Sequence, residues 1–280
     1  MNILITNLNM WPFRGTENWC YAMGTELKRR GHNVSIYSPS PRQGIPYFQQ
    51  AGINYVTTGT FDLVLDNHCV TYPGIKFKNI IHTCHGTIPA ERPLKGAINV
   101  AVNERVCKAW KLDTIIKNGI DCERMKPTTR PKDKIETVIS LCSSEISDNV
   151  LKELCDKLGY NLITTHNKEV FNVNELINKA DIAFGVGRSV YDAMACGRPV
   201  ISFDNRFYLP RMHGCGYVTP TVVANNVDNM TGIDKQWTLD KLIEELKKYN
   251  PEDGQRNRDY IIKNLNIKDT VDKYLELIGG

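Results

Sequence analysis

The sequence predicts an α/β protein made of two Rossmann-like units, each built on a parallel sheet. Three observations carry this. Short apolar runs of strand length alternate with segments of helical periodicity along the chain. The alternation pauses once, at a polar stretch bounded by Pro127 and Pro131, which reads as a linker. Residues 180–204 then read in order as strand, glycine turn, helix, stop and strand.

The first unit, residues 1–125, opens with a strand at Asn2–Thr6, a loop over 7–15 and a helix over 16–30. Thr16 is the expected N-cap, Cys20, Met23 and Leu27 form the apolar stripe, and Gly31 is the stop. Further strands are expected at 34–37, 51–56, 61–66, 78–82 and 98–102. A helix over 104–110 and a last strand at 114–116 complete the unit. Residues 118–121 turn the chain.

The second unit, residues 126–280, starts with a strand at 137–141, a helix over 148–158, a strand at 161–165 and a helix over 173–180. Ile182, Ala183 and Phe184 form the next strand, and Gly185 and Gly187 permit a turn that bulkier residues obstruct. Ser189 reads as an N-cap with Asp192 completing a capping box. Gly197 ends that helix, Pro199 prevents its extension, and Val200, Ile201 and Phe203 make a buried strand. Helices over 238–249 and 258–278 close the chain, the last expected to pack back on the first unit.

The helix that opens near Ser189 follows a strand's carboxyl end. Its first amides, with Arg188 beside them, form an anion site for which phosphate is the natural occupant.

Composition narrows the class. The chain has 280 residues, of which 24% are charged, and a formal net charge of +4, as expected of a folded enzyme-like protein. Residues 1–130 hold 16 Lys and Arg against 9 Asp and Glu, while the remainder holds 19 against 22. The basic first half has two open readings. One is an unevenly charged solvated surface; the other is an anionic partner such as a phospholipid surface, a lipid phosphate or nucleic acid. No transmembrane segment is expected, since no run of 18 apolar residues occurs. A strand begins almost at the first residue and leaves no leader, so a cytoplasmic protein is expected, with peripheral attachment to a membrane face left open. The nine cysteines are odd in number and include no C-x-x-C, so reduced, buried thiols are expected rather than disulfides or a zinc site.

In order along the chain, several motifs resemble those of GT-B fold glycosyltransferases, specifically the family 4 (group 1) type. Arg14-Gly15-Thr16-Glu17 resembles the G-G-x-E loop, and Gly31-His32-Asn33-Val34-Ser35-Ile36 the G-H-x-V-x-I strand. The strand ending at His68 and the His85-Gly86 turn resemble the D-V-V-H-x-H and H-G elements. Asn118-Gly119-Ile120-Asp121 matches the N-G-I-D hinge. Ala180-Asp181 and the run from Asp192 to Val200 match the A-D and E-A-M-A-x-G-x-P-V signature.

The resemblance implies two Rossmann-like domains facing a cleft and transfer of a sugar from a nucleotide-sugar, a UDP- or GDP-sugar, to an acceptor. It implies a retaining reaction without a metal ion, with the donor on the C-terminal unit and the acceptor on the N-terminal one. No cofactor is implied, since the nucleotide-sugar is a substrate. The leaving nucleoside diphosphate needs amides, helix dipoles and cations more than a protein nucleophile.

Each residue so implicated also has an ordinary reading. Asp192 takes the place of the glutamate that holds the donor ribose, against a plain capping role. Gly187, Arg188 and Ser189 face the diphosphate, against a surface position for Arg188. Gly15 and Thr16 offer amides to the donor phosphates, against an ordinary loop and cap. Glu17 reads as a first-turn dipole partner. His85 is the catalytic candidate, near the donor sugar, against a histidine satisfied within its turn. His68 and His82 are weaker candidates at strand ends, and Asp66 is a base candidate should the reaction be inverting, against the expected strand end near solvent.

The sequence departs from the family pattern twice. Phe184 stands where the family has its first glutamate, and residues 141–146 lack the Arg and Lys that bind the diphosphate. Ser143 offers a hydroxyl to phosphate there, without charge. These departures keep open a non-catalytic GT-B nucleotide-binding module, and the shared architecture keeps open a GT-B epimerase or phosphorylase. The acceptor is expected to be neutral or anionic, the anionic choices being a modified DNA base and a lipid-linked phosphate.

Overall fold

A computed structural model describes residues 1–68, 70, 73–168, 170–205, 211–232 and 235–279. Cys69, one of the expected free thiols, lies outside the described residues. The chain divides into two compact units, Met1–Asp121 with Leu265–Gly280, and Cys122–Asn264.

The first unit holds a six-stranded, all-parallel sheet. Its strands are β1 (Asn2–Thr6), β2 (Asn33–Tyr37), β3 (Asn54–Tyr55), β4 (Gly59–Asn67), β5 (Ile75–Cys84) and β6 (Ile98–Ala101). They lie in the order β3-β2-β1-β4-β5-β6, the Rossmann order. Helices α1 (Gly15–Arg29), α2 (Ile45–Gln50) and α3 (Glu104–Trp110) provide the crossovers and edge cover. Ile3, Leu4 and Ile5 are all buried because both faces of the sheet are covered. Ile3 and Ile5 pack with Trp19, Met23 and Leu27 of α1, while Leu4 packs on the other face with Phe61 and Val64. Full burial of each such side chain contributes about 1.5–3 kcal/mol before entropy is counted.

Thr16 does not cap α1. The helix starts one residue earlier, with Arg14 at the N-cap, because the Glu17 carboxylate reaches back to accept from the Arg14 amide at 3.0 Å. The expected strand at 114–116 is also absent. Ile115 makes only a single bridge to Ala101, since the chain turns after Leu112 and meets the sheet edge briefly.

The second unit has strands β7 (Thr137–Ser140), β8 (Asn161–Thr164), β9 (Ile182–Gly185), β10 (Val200–Asp204) and β11 (His213–Tyr217), in the order β11-β10-β9-β7-β8. All pairings are parallel except β10 with β11. Its helices are α4 (Glu145–Leu158), α5 (Val173–Ile177), α6 (Arg188–Ala195), α7 (Pro220–Ala224), α8 (Leu239–Leu246) and α9 (Glu252–Asn264).

The single helix expected over 258–278 is two. The Asn266 side chain accepts from the Lys268 amide and starts a new helix, α10 (Ile267–Glu276). This last helix belongs to the first unit, where Tyr274 is buried and its hydroxyl meets Thr83 Oγ1 at 2.9 Å.

Candidate functional site

Each sheet reverses its strand order once, and ligands of α/β proteins bind at the carboxyl ends of the strands flanking that reversal. In the second unit these are β7 and β9. β9 leads into Gly187, whose backbone (φ 66°, ψ −135°) is open to glycine and strained for other residues. Gly187 is the N-cap of α6. Ser189 is therefore inside the helix and makes no capping bond; its Oγ lies 3.5 Å from Leu141 O instead. The expected capping box with Asp192 fails for the same reason: the glycine conformation lets the helix begin before the serine.

Asp192 pairs with Arg188. Arg188 Nε lies 3.5 Å from Asp192 Oδ1, and both side chains are more than nine-tenths buried. Arg188 is thus not a surface residue. Burial raises the Asp192 carboxyl above its ordinary value, while Arg188 and Arg124 draw it down less strongly. Arg124 escaped the sequence reading because no periodicity marks it. Its guanidinium lies over the Phe171 ring at 4.3 Å, and Nη2 donates to Phe171 O at 2.5 Å.

The loop after β7 is engaged differently from the expectation. Both the Ser143 amide and its hydroxyl donate to Asp204, at 3.1 and 3.0 Å. Ser147 Oγ and the Asn205 amide also donate to this fully buried carboxylate. Asp204 therefore occupies the anion position beside the start of α4, and the Ser143 proton is already committed. Phe184, in the place of the family's first glutamate, is fully buried and meets Phe203 edge-on at 6.4 Å. It serves the core.

In the first unit the reversal lies between β1 and β4. Gly15 and Thr16 are the first two residues of α1, Gly15 being exposed with open space around it. Glu17 is buried and raised by that burial, against the backbone bonds it accepts. His85 follows β5 and is half-buried. Its Nε2 is 2.7 Å from Asn67 Oδ1, and its ring meets Trp19 edge-on at 5.4 Å. Asn67 Nδ2 donates to Thr6 O, which leaves Oδ1 as acceptor, so His85 Nε2 carries a proton.

Asp66 is not near solvent. It is fully buried, accepts from Thr6 Oγ1 at 2.7 Å and lies 2.6 Å from His82 Nδ1, which is buried with it. The sheet interior has used both groups.

No family model matches the chain, and no curated protein matches it. Solved structures do. HepE from Anabaena, in complex with UDP and glucose, is similar with a TM-score of 0.63 at 12% identity, over 100% of this chain and 99% of that one. The chain has the GT-B fold. An α-glucosyltransferase in complex with UDP and a 13-mer DNA containing a HMU base is similar at a TM-score of 0.59 and 10% identity, over 100% of both chains. So is UDP-GlcNAc 2-epimerase from Neisseria meningitidis bound to UDP-GlcNAc, at 0.54 and 14%, again over 100% of both.

The eight described cysteines are free thiols. Among the described residues, no helix is long and apolar enough to cross a membrane, and no three His, Cys, Asp or Glu side chains group to hold a metal ion.

Proposed function

We propose that this GT-B protein transfers a sugar from a nucleotide-sugar to an acceptor, with the second unit binding the donor and the first carrying the acceptor. The observation that carries this is the buried Arg188–Asp192 pair on a glycine-started helix at the strand-order reversal. A buried carboxylate with its own cation accepts two ribose hydroxyls well, because their donated bonds offset the cost of its burial. Arg188 and the first-turn amides of α6 then meet the diphosphate, whose charge grows as it leaves. His85, held at Nε2 by Asn67, is the catalytic candidate of the first unit. Similarity to structures bound to UDP and UDP-sugars supports a uridine donor. The nucleotide-sugar is a substrate, and no metal or resident cofactor forms part of this reading.

A thermal-shift panel of UDP- and GDP-sugars tests it, since a ligand that binds only the folded chain raises the melting temperature. A positive donor is then assayed with neutral and anionic acceptors. The reading fails if no nucleotide-sugar stabilises the protein. A second reading, sugar epimerisation or binding without turnover, is favoured by Phe184 in place of a carboxylate and by the epimerase likeness. Donor turned over to an epimer with no acceptor present would establish epimerisation, and donor binding with no turnover of any donor would establish binding alone. The basic first half supports an anionic acceptor, which the salt dependence of acceptor binding tests.

A further inference from the structure

Asn7 fixes the state of His68. The Asn7 amide nitrogen faces three oxygens: Asn9 O at 2.6 Å, Glu17 Oε1 at 3.2 Å and Thr16 Oγ1 at 3.5 Å. An amide nitrogen only donates, so the other end of that side chain, Oδ1, is an acceptor. His68 Nδ1 lies 2.8 Å from Asn7 Oδ1 and therefore donates. In the neutral ring the proton is on Nδ1, and Nε2 carries the lone pair.

That lone pair faces a carboxylate. Nε2 is 3.6 Å from Glu91 Oε1, and the two side chains retain 15% and 12% exposure. A carboxylate beside a neutral imidazole gains an ion pair when the ring takes a proton. Two backbone features border this contact. His68 adopts a left-handed φ of 62°, uncommon outside glycine. A Cβ at Gly86 would lie 2.2 Å from Glu91 Oε2, so glycine there leaves room for the carboxylate. His68 directly follows β4, at the strand-order reversal of the first unit.

We propose that His68 accepts the proton of the acceptor hydroxyl during sugar transfer, and that Glu91 holds the resulting imidazolium. The proposal rests on the glycosyltransferase reading above. The acceptor O–H bond breaks as its oxygen bonds to the anomeric carbon. The bond from that carbon to the diphosphate breaks, and its electron pair leaves on the diphosphate. The proton passes to His68 Nε2 and later to solvent. Glu91 is a positioning residue, acting through His68. Among the described residues, other titratable groups near His68 are Glu17, through Asn7, and His85, with ring centroids 6.5 Å apart.

The test is the pH profile of kcat for the wild type, His68→Gln and Glu91→Gln, with nucleotide-sugar thermal shifts measured in parallel. His68→Gln is expected to lower kcat by about 100-fold and to abolish the acid limb, within the usual range for a general base. Glu91→Gln is expected to lower kcat by about 10-fold with KM for the donor unchanged, since the imidazolium loses its counter-ion. Donor thermal shifts are expected to remain as in the wild type, which also shows that the variants fold. Nitrogen NMR of the resting protein at neutral pH is expected to place the His68 proton on Nδ1. Transfer with an unchanged limb in His68→Gln, or a proton on Nε2, overturns this role alone. Absence of nucleotide-sugar binding by the wild type overturns the parent reading, and this role with it.

Discussion

Arg188 and Asp192 lie one turn apart on α6, with Nε 3.5 Å from Oδ1, and both side chains are closed to solvent. The carboxyl is raised because burial outweighs the attraction of Arg188 and Arg124. A raised carboxyl means that the folded chain binds this proton more tightly than the unfolded one. Its contribution to stability is then complete below the unfolded value and is lost as pH rises through the folded value. Thermal melts from pH 4 to 7 should show the wild type losing ground to Asp192→Asn as pH rises. The same variant should weaken nucleotide-sugar binding by about 10-fold or more, as expected when a charged acceptor of hydrogen bonds is removed. Unchanged donor affinity would remove Asp192 from the site.

The parts of this architecture visible in the sequence are those set by local pattern. β1 lies at Asn2–Thr6 as the apolar run predicts, and α3 spans Glu104–Trp110 as read. What stayed hidden depends on backbone conformation and on partners distant in sequence. β11 carries two glycines in five residues and has no apolar alternation to betray it. α2 begins Ile-Pro beside Pro41 and Gly44, residues that read as loop. Ser189 has the chemistry of a cap, yet the positive φ of Gly187 starts the helix first. Ser143 has the chemistry of a phosphate ligand, yet its hydroxyl donates to Asp204, 61 residues away. Asp66 looks like an exposed strand end until His82 from the neighbouring strand covers it.

Gly187→Ala tests whether the conformation before α6 matters to binding. A side chain at φ 66° and ψ −135° is strained, and the strain costs about 1–3 kcal/mol. Urea denaturation should show a loss of that size. The variant that remains folded should bind nucleotide-sugar more weakly, because relief of the strain moves the first-turn amides. A stability loss with full donor affinity would mean that those amides do not touch the ligand.

Arg198 belongs to the motif that carries the family resemblance, but its role is structural. It is fully buried, and its guanidinium donates to Ile177 O, Thr129 O and Oγ1, and Asn178 O and Oδ1. Burial lowers its pKa, while these oxygens and the nearby charge of Asp181 favour the guanidinium. Arg198→Met strands several buried acceptors at once and should cost about 3 kcal/mol or more. Urea titration should record that loss. Nucleotide-sugar affinity of the folded fraction should match the wild type, and a selective loss of affinity would place Arg198 in the binding site instead.

The thiols give a check on burial and redox state together. Burial pushes the Cys155 thiol up to about 11 and the Cys196 thiol up to about 12. Thiolate is the reactive form, so at pH 8 these two should resist a disulfide-exchange reagent in the folded protein. Cys107 is only half-buried and should react before either. In guanidinium without reductant all nine cysteines should titrate, because none is expected in a disulfide. A count below nine in guanidinium would reveal a disulfide. Rapid labelling of Cys196 in the native state would instead show that the C-terminal end of α6, where this residue is the cap, opens readily to solvent.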